Sequence, residues 1–440
     1  MAPQPPPRDK PRRRSISEDE FRPLLVGQAG EFIQLANGVL EANPENWTQR
    51  QIDHLYRSTT ELEAFLDYFG CKQNRAFHKT RELVALIRWL ARAMGGLVHL
   101  DGRLTSNQLP NPAWGEEELR PRARKAALFL GETICKCAQT IREQWVESKM
   151  VWQDGALRVD SLVAGNTQVS LPPDLDERGG LDGEGLPSAA KFSGRYLRLC
   201  ESWAPEATHP CVGLEGLRAF VGRFATEGIA RNFESRIHNL ESDYDSLVAG
   251  TSQEGEHENL ALLRGATSAG LLVAESVTAL AHLYERHGGP EATSRDRGVF
   301  ASCIDEEGLL SVIANEGVVL AWETLQGGAK LAQSLVEDLT DRSSISLELP
   351  EGLTLHARPL ALVAKVVAHF GTPVDMEIDG ARANAGSIMQ LLVLAGSKPA
   401  TKKVSFHGDR NVLRDLSRLF QAGLGEAGMD QIPGELGYLL

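Results

Sequence analysis

The segment Leu355-His356-Ala357-Arg358-Pro359 brings an imidazole, a guanidinium and a proline together within five residues. Alternating apolar residues precede it and a helical pattern follows. It should therefore span a strand-to-helix junction, with His356 at the N-cap and Pro359 in the first turn, where a missing N–H costs little. The unsatisfied N–H groups of that turn and the Arg358 guanidinium form an anion site beside the ring. The positive helix end and the nearby cation also disfavour imidazolium, which keeps the ring neutral and nucleophilic. These are the parts needed to accept a phosphoryl group on a ring nitrogen and hold it. About thirty residues later, Gly386-Ser387-Ile388-Met389-Gln390-Leu391-Leu392 opens another helical pattern, with a serine at its start and apolar side chains directly behind.

The elements that position these residues are legible from periodicity. Ser344–Leu349, Val374–Ile378 and Lys402–Phe406 alternate at period two, and Asp379-Gly380 marks a turn before a short strand at Ala381–Asn384. Helical patterns cover Pro359–Phe370, Ser387–Leu394 and Val412–Phe420. The order β-α-β-β-α-β-α predicts an antiparallel sheet with helices on one face, a small α+β domain. With its two motifs, Ser344 to Gly423 resembles HPr, the histidine-containing phosphocarrier of the bacterial sugar phosphotransferase system, an open-faced β-sandwich. The resemblance implies that His356 takes phosphate from an enzyme I-like donor and passes it to downstream acceptor proteins, supported by Arg358. It also implies that an HPr kinase can modify Ser387, and that Ala357, Ile388 and Met389 belong to the partner-docking surface. Two departures stand out. The family usually has glycine two residues before its histidine, whereas Gly352 is four before His356, so the loop is longer. Gly386 stands where the family commonly has lysine before the serine, which removes a cation that could pair with a phosphoserine and leaves helix capping as the other reading of Ser387.

The chain has 440 residues, 42% apolar and 24% charged, the balance of a soluble globular protein with two or three domains. Its net charge of −13 argues against nucleic acid as a partner. From Ser344 onward nine Lys and Arg face ten Asp and Glu, so −12 of that charge lies before the C-terminal domain. Six scattered cysteines (Cys71, Cys135, Cys137, Cys200, Cys211, Cys303) form neither a disulfide framework nor a metal-binding pair. Nucleotide-loop and zinc-protease signatures are missing too, so no metal, cofactor or catalysis of its own is expected. No run approaches the roughly 18 to 20 uninterrupted apolar residues of a spanning helix, and no apolar run behind the basic N-terminus suggests a signal peptide. A cytoplasmic protein without membrane association is the expectation.

The expected organisation is a Pro/Arg-rich disordered arm (1–18), a helical bundle (19–150), a Gly/Pro/Asp-rich linker (151–193) with a short hairpin in Gln153–Val169, a second helical region (194–340), the HPr-like domain (343–424) and a tail (425–440). Apolar spacings of three and four, as in Phe32, Leu35, Val39 and Leu83, Leu86, Ile87, Leu90, carry the all-α assignment. The two helical halves share weak self-similarity: Glu132-Thr133-Ile134 and Ala138 against Glu323-Thr324-Leu325 and Ala329, and Leu62-Glu63 against Leu240-Glu241. Residues Phe32 to Gly70 also resemble the helical histidine-phosphotransfer bundle, in degenerate form. The acceptor position of that family falls near Thr60, Glu63-Ala64 replaces its lysine-glycine pair, and His78 reads as an ordinary helix histidine. A carrier alone needs about 85 residues, so the helical region is expected to act in self-association, as a homodimer, or in partner docking. It should pack independently of the HPr-like domain, with a hinge at Thr340–Ser343. The alternative to a carrier is a non-phosphorylated interaction protein that keeps only the HPr fold.

Overall fold

Residues 15–105, 116–157, 188–202, 210–350, 352–426 and 428–439 are described in the computed structural model. The first fourteen residues of the expected arm and residues 158–187 of the expected linker lie outside them, and so does most of the expected hairpin, of which 153–157 form no strand. The chain starts α1 (Glu18–Gln28) with a capping box, in which the Ser17 hydroxyl accepts from the Glu20 amide and the Glu20 carboxylate accepts from Ser17 N–H. α2 (Gly30–Glu41), α3 (Gln49–Tyr68), α4 (His78–Thr105) and α5 (Glu116–Glu147) complete the first half. The second half comprises α6 (Ser188–Ser202), α7 (Leu214–Phe224), α8 (Glu227–Leu247), α9 (Ser252–Glu256), α10 (Glu258–Leu283), α11 (Ser294–Cys303), α12 (Glu306–Ser311) and α13 (Leu320–Leu339). π-helical turns extend α10 over Tyr284–Gly288 and join α12 to α13 over Val312–Val319.

The two halves are built alike. α4 packs between α3 and α5, α10 packs between α8 and α13, and α4 lies against α10. In each half an arginine of the central helix reaches a Glu-x-x-x-Asp pair on a helix packed against it, α3 for α4 and α8 for α10. Arg81 pairs with Glu63 and Asp67, and Arg264 pairs with Glu241 and Asp245. Glu63 and Glu241, the acidic residues of the Leu62-Glu63 and Leu240-Glu241 pairs, thus hold comparable places against the central helices. A central helix surrounded by others must be apolar on most faces. His78–Leu104, Glu258–Gly288 and Glu306–Leu339 are accordingly long and apolar enough, by length and composition, to cross a membrane, although charges interrupt each run. Counting only uninterrupted runs missed them. In this fold 67–72% of each apolar window is buried inside the protein.

The C-terminal domain follows the expected order. β1 (Arg342–Glu348), α14 (Ala357–Phe370), β2 (Asp375–Ile378), β3 (Ala381–Asn384), α15 (Ile388–Ser397), β4 (Lys403–Asp409) and α16 (Arg410–Gln421) form an antiparallel sheet of order β1-β4-β2-β3 with helices covering one face. Asp379 and Gly380 both have positive φ, 48° and 81°, the backbone of a tight hairpin turn between β2 and β3.

Two differences from the sequence expectation concern how this domain is held. Residues 188–193 are helix, not linker: α6 places Ala190 in the C-terminal core and Phe192, Tyr196 and Leu199 in the bundle core. Gly194 lies so close to the Gly371 carbonyl that a Cβ there would collide with the backbone, and Gly371 itself takes a left-handed conformation (φ 82°) as the C-cap of α14. The Thr340–Ser343 connection is tied down as well. Asp341 N–H donates to Asp409 Oδ2 (3.2 Å) and its carbonyl accepts from Arg410 N–H (2.9 Å). Independent packing about a hinge there is replaced by a helix shared between two cores. The residues expected as a tail form further short turns whose Ile432, Leu436 and Leu439 enter the C-terminal core, with Tyr438 stacked on His369 at 3.7 Å. Gly194→Ala should lower stability by about 1–3 kcal/mol through overpacking. Gly222→Ala, on an exposed turn of α7 with nothing near its added methyl, should raise it by about 1 kcal/mol. Thermal unfolding of the two variants checks this, and a neutral Gly194→Ala contradicts the contact.

Candidate functional site

His356 sits at the N-cap of α14 with extended backbone (φ −123°, ψ −174°), and its side chain makes no capping bond. The ring is therefore not tied to the helix it precedes. Its carbonyl accepts from Leu360 N–H (3.2 Å), which starts the helix, while Pro359 and Leu360 are buried. Leu353, Leu355 and Leu360 pack into the core and fix the loop from below. The longer loop closes through a turn in which Leu353 N–H donates to the Pro350 carbonyl (3.0 Å), with Gly352 at φ 79°. His356, Ala357 and Arg358 are exposed, the imidazole by 51%. The junction thus presents His356, Ala357 and Arg358 to solvent on one short stretch at the start of α14.

A carboxylate that sequence reasoning missed completes the site. Glu426 Oε1 lies 3.4 Å from His356 Nε2. It is delivered by the left-handed run Gly423, Leu424 and Gly425 after α16 (φ 68°, 53° and 72°). The buried Leu424 side chain and the tight fit of Gly425 against Leu362 hold that run in place. A carboxylate at this distance favours an N–H on Nε2 and leaves the Nδ1 side of the ring without an acidic neighbour of this kind. The signal was weak in the sequence, because Glu426 lies seventy residues away in a glycine-rich segment.

Ser387 is the N-cap of α15, its hydroxyl accepting from Gln390 N–H at 3.4 Å. Behind it Ile388, Met389 and Val393 are exposed, the last two by 72% and 70%, and Met389 and Val393 are four residues apart on one helix face. Met389 and Val393 line a shallow groove with Ala383, Gln390 and Arg382. Ile388 and Met389 therefore belong to the surface, and Val393 extends the apolar patch that sequence reading placed on the first two. Thr60, the expected acceptor position of the histidine-phosphotransfer resemblance, lies on α3 and donates its hydroxyl to the Tyr56 carbonyl.

A second polar cluster lies in the bundle. His78 Nε2 is 2.9 Å from Asp296 Oδ1, and His287 Nδ1 is 2.6 Å from Glu82 Oε2. Arg81 contacts Glu82, Glu63 and Asp67, and Arg88 contacts Glu63. Burial would raise the Glu82 carboxyl, but the His287 hydrogen bond and the charges of His287 and Arg81 hold it below its ordinary value. Burial wins at Glu63, whose carboxyl is raised despite Arg88 and Arg81.

Residues 343–422 match the family described as PTS HPr component phosphorylation site. They form an HPr domain. The match spans the sheet, the three helices and both motifs, and it stops before the turn that carries Glu426. The helical region has no family assignment, and no curated protein and no solved structure matches the chain. The HPr domain is consistent with the mixed α then α+β architecture and carries His356, Arg358 and Ser387 within its limits. Removing the cap with Ser387→Ala should cost about 0.5–2 kcal/mol, whereas Ser387→Asp, which caps equally well, should keep stability within a few tenths of a kcal/mol. Chemical denaturation of both variants tests whether the hydroxyl holds the start of α15.

Proposed function

We propose that the chain is a phosphorelay or regulatory protein of a phosphotransferase system in the cytoplasm, with residues 343–424 as a carrier rather than a catalyst. The observation that carries this reading is a half-exposed imidazole at an uncapped helix start inside an HPr domain. The His356 Nδ1 lone pair attacks the phosphorus of a phosphorylated enzyme I-like donor, forming one N–P bond as the donor's breaks. Arg358 and the first-turn N–H groups of α14 hold the transferred oxygens. A downstream acceptor then takes the group by the reverse geometry. Ala357, Ile388 and Met389, extended by Val393, form the docking surface for both partners. Ser387 is the regulatory position: phosphorylation by an HPr kinase adds about two negative charges beside that apolar surface. Gly386 supplies no local cation, and Glu201 of α6 already reaches the same turn through Asn384 (3.1 Å). The modification would therefore act by repelling partners rather than by local pairing. Residues 19–340 would set partner choice or self-association, in one body with the carrier.

Incubating the full chain with enzyme I and labelled phosphoenolpyruvate should give acid-labile label that His356→Ala abolishes, with Arg358→Ala slowed at least tenfold and Met389→Asp impaired in docking. No label on the wild-type chain, under conditions that label an ordinary HPr, would overturn the carrier and leave the non-phosphorylated interaction protein.

A further inference from the structure

The cluster at the α4 start is unlike the ion pairs that the bundle repeats. Counting along each central helix from its paired arginine, Arg81 or Arg264, Ala261 and Gly265 of α10 fall at the positions that His78 and Glu82 hold on α4. The Arg–Glu–Asp pairing is thus common to both halves, while the histidine and the second carboxylate occur in one. Packing of a central helix does not require them.

Their placement has the form of a ligand set. His78 and Glu82 are four apart, so they project from one face of α4, and Asp296 joins them from the first turn of α11, where Thr293 caps its amide. One donor atom from each of the three lies within 4.8 Å of the others. Their exposures are 9%, 1% and 5%. A fourth donor, His287, is at hand because the π-helical turn that ends α10 carries it to Glu82. Donors around a tetrahedral ion with bonds of about 2.0–2.1 Å stand roughly 3.3 Å apart, so small rotamer shifts would close the set of three, and His287 reaches its edge through Glu82. The outer groups are in place too: Arg81 holds Glu82 from the side and is itself fixed by Glu63 and Asp67, as second-layer partners of metal ligands are. Charge also favours a cation. The carboxylates of Glu63, Asp67, Glu82 and Asp296 outnumber the two guanidiniums, Arg81 and Arg88, and an ion would take the place of any proton shared by the two imidazoles and their carboxylates.

We propose that His78, Glu82 and Asp296, with His287 as the fourth donor, bind a divalent first-row transition ion of the zinc class. Mixed imidazole and carboxylate donors suit such ions better than calcium or magnesium, which take oxygen alone. The ion would join the start of α4, the end of α10 and α11, three segments that come from both halves. The proposal stands apart from the phosphocarrier reading, since no residue of the HPr domain takes part.

The probe is Co2+, a paramagnetic stand-in for zinc, added to tag-free, chelator-treated full-length protein. Calorimetry should show one equivalent bound per chain, and His78→Gln and Asp296→Asn should each weaken binding at least tenfold while His356→Ala leaves it unchanged. In histidine-labelled wild-type protein, Co2+ should shift the ring signals of His78 and His287 at one equivalent, a readout that does not depend on how the variants fold. No saturable binding, variants that bind as the wild type does, or paramagnetic shifts confined to other histidines would each overturn the site.

Discussion

The backbone contact between Gly194 and Gly371 is the constraint on which the arrangement of this chain depends. Two glycines are needed because a Cβ on the first would strike the carbonyl of the second, and because the second adopts a left-handed conformation to end α14. Once α6 is seated there, Ala190 fills the HPr core while Phe192 and Tyr196 fill the bundle core, and the Tyr196 hydroxyl donates to the Leu325 carbonyl at 2.7 Å. One helix is thus shared by two cores, and neither can shift without unpacking it. The consequence for function follows from helix geometry. The clamp grips the C-terminal end of α14, and His356 precedes its N-terminal end, roughly 20 Å away at 1.5 Å per residue. The bundle can therefore anchor the carrier without covering its histidine, in agreement with the exposure of the ring.

The helical region shows how a repeated architecture separates structural polar groups from others. A buried arginine such as Arg81 needs carboxylate partners, and the half-buried Arg264 finds Glu and Asp at matched positions in the other half. His78 and Glu82 of α4, which Asp296 joins from α11, have no counterparts at Ala261 and Gly265 of α10. That asymmetry distinguishes His78, Glu82 and Asp296 from the packing around them.

What the sequence revealed follows the range of the interactions involved. Strand alternation, the Asp379-Gly380 turn and the helix starts at His356 and Ser387 are local signals, and each begins within two residues of its expected place. The role of α6 was hidden because its apolar residues serve two cores at once and no single periodic face accounts for them. The C-terminal turns escape sequence reading because Ile432, Leu436 and Leu439 are spread among glycines and proline without any period. Glu426 was lost with them. The bundle cluster was invisible for a different reason: Asp296 lies 218 residues from His78, and His287 lies 205 residues from Glu82.

The central claim is that Glu426 and the uncapped helix start leave one nitrogen of His356 open to phosphoryl transfer while the domain remains clamped to the bundle. Nitrogen-15 NMR of the histidine rings, recorded on the intact chain after phosphorylation by enzyme I, reads this directly. The account predicts phosphorus on Nδ1 of His356 with the proton on Nε2, facing Glu426. Phosphorus on Nε2, or on any other histidine, would contradict it.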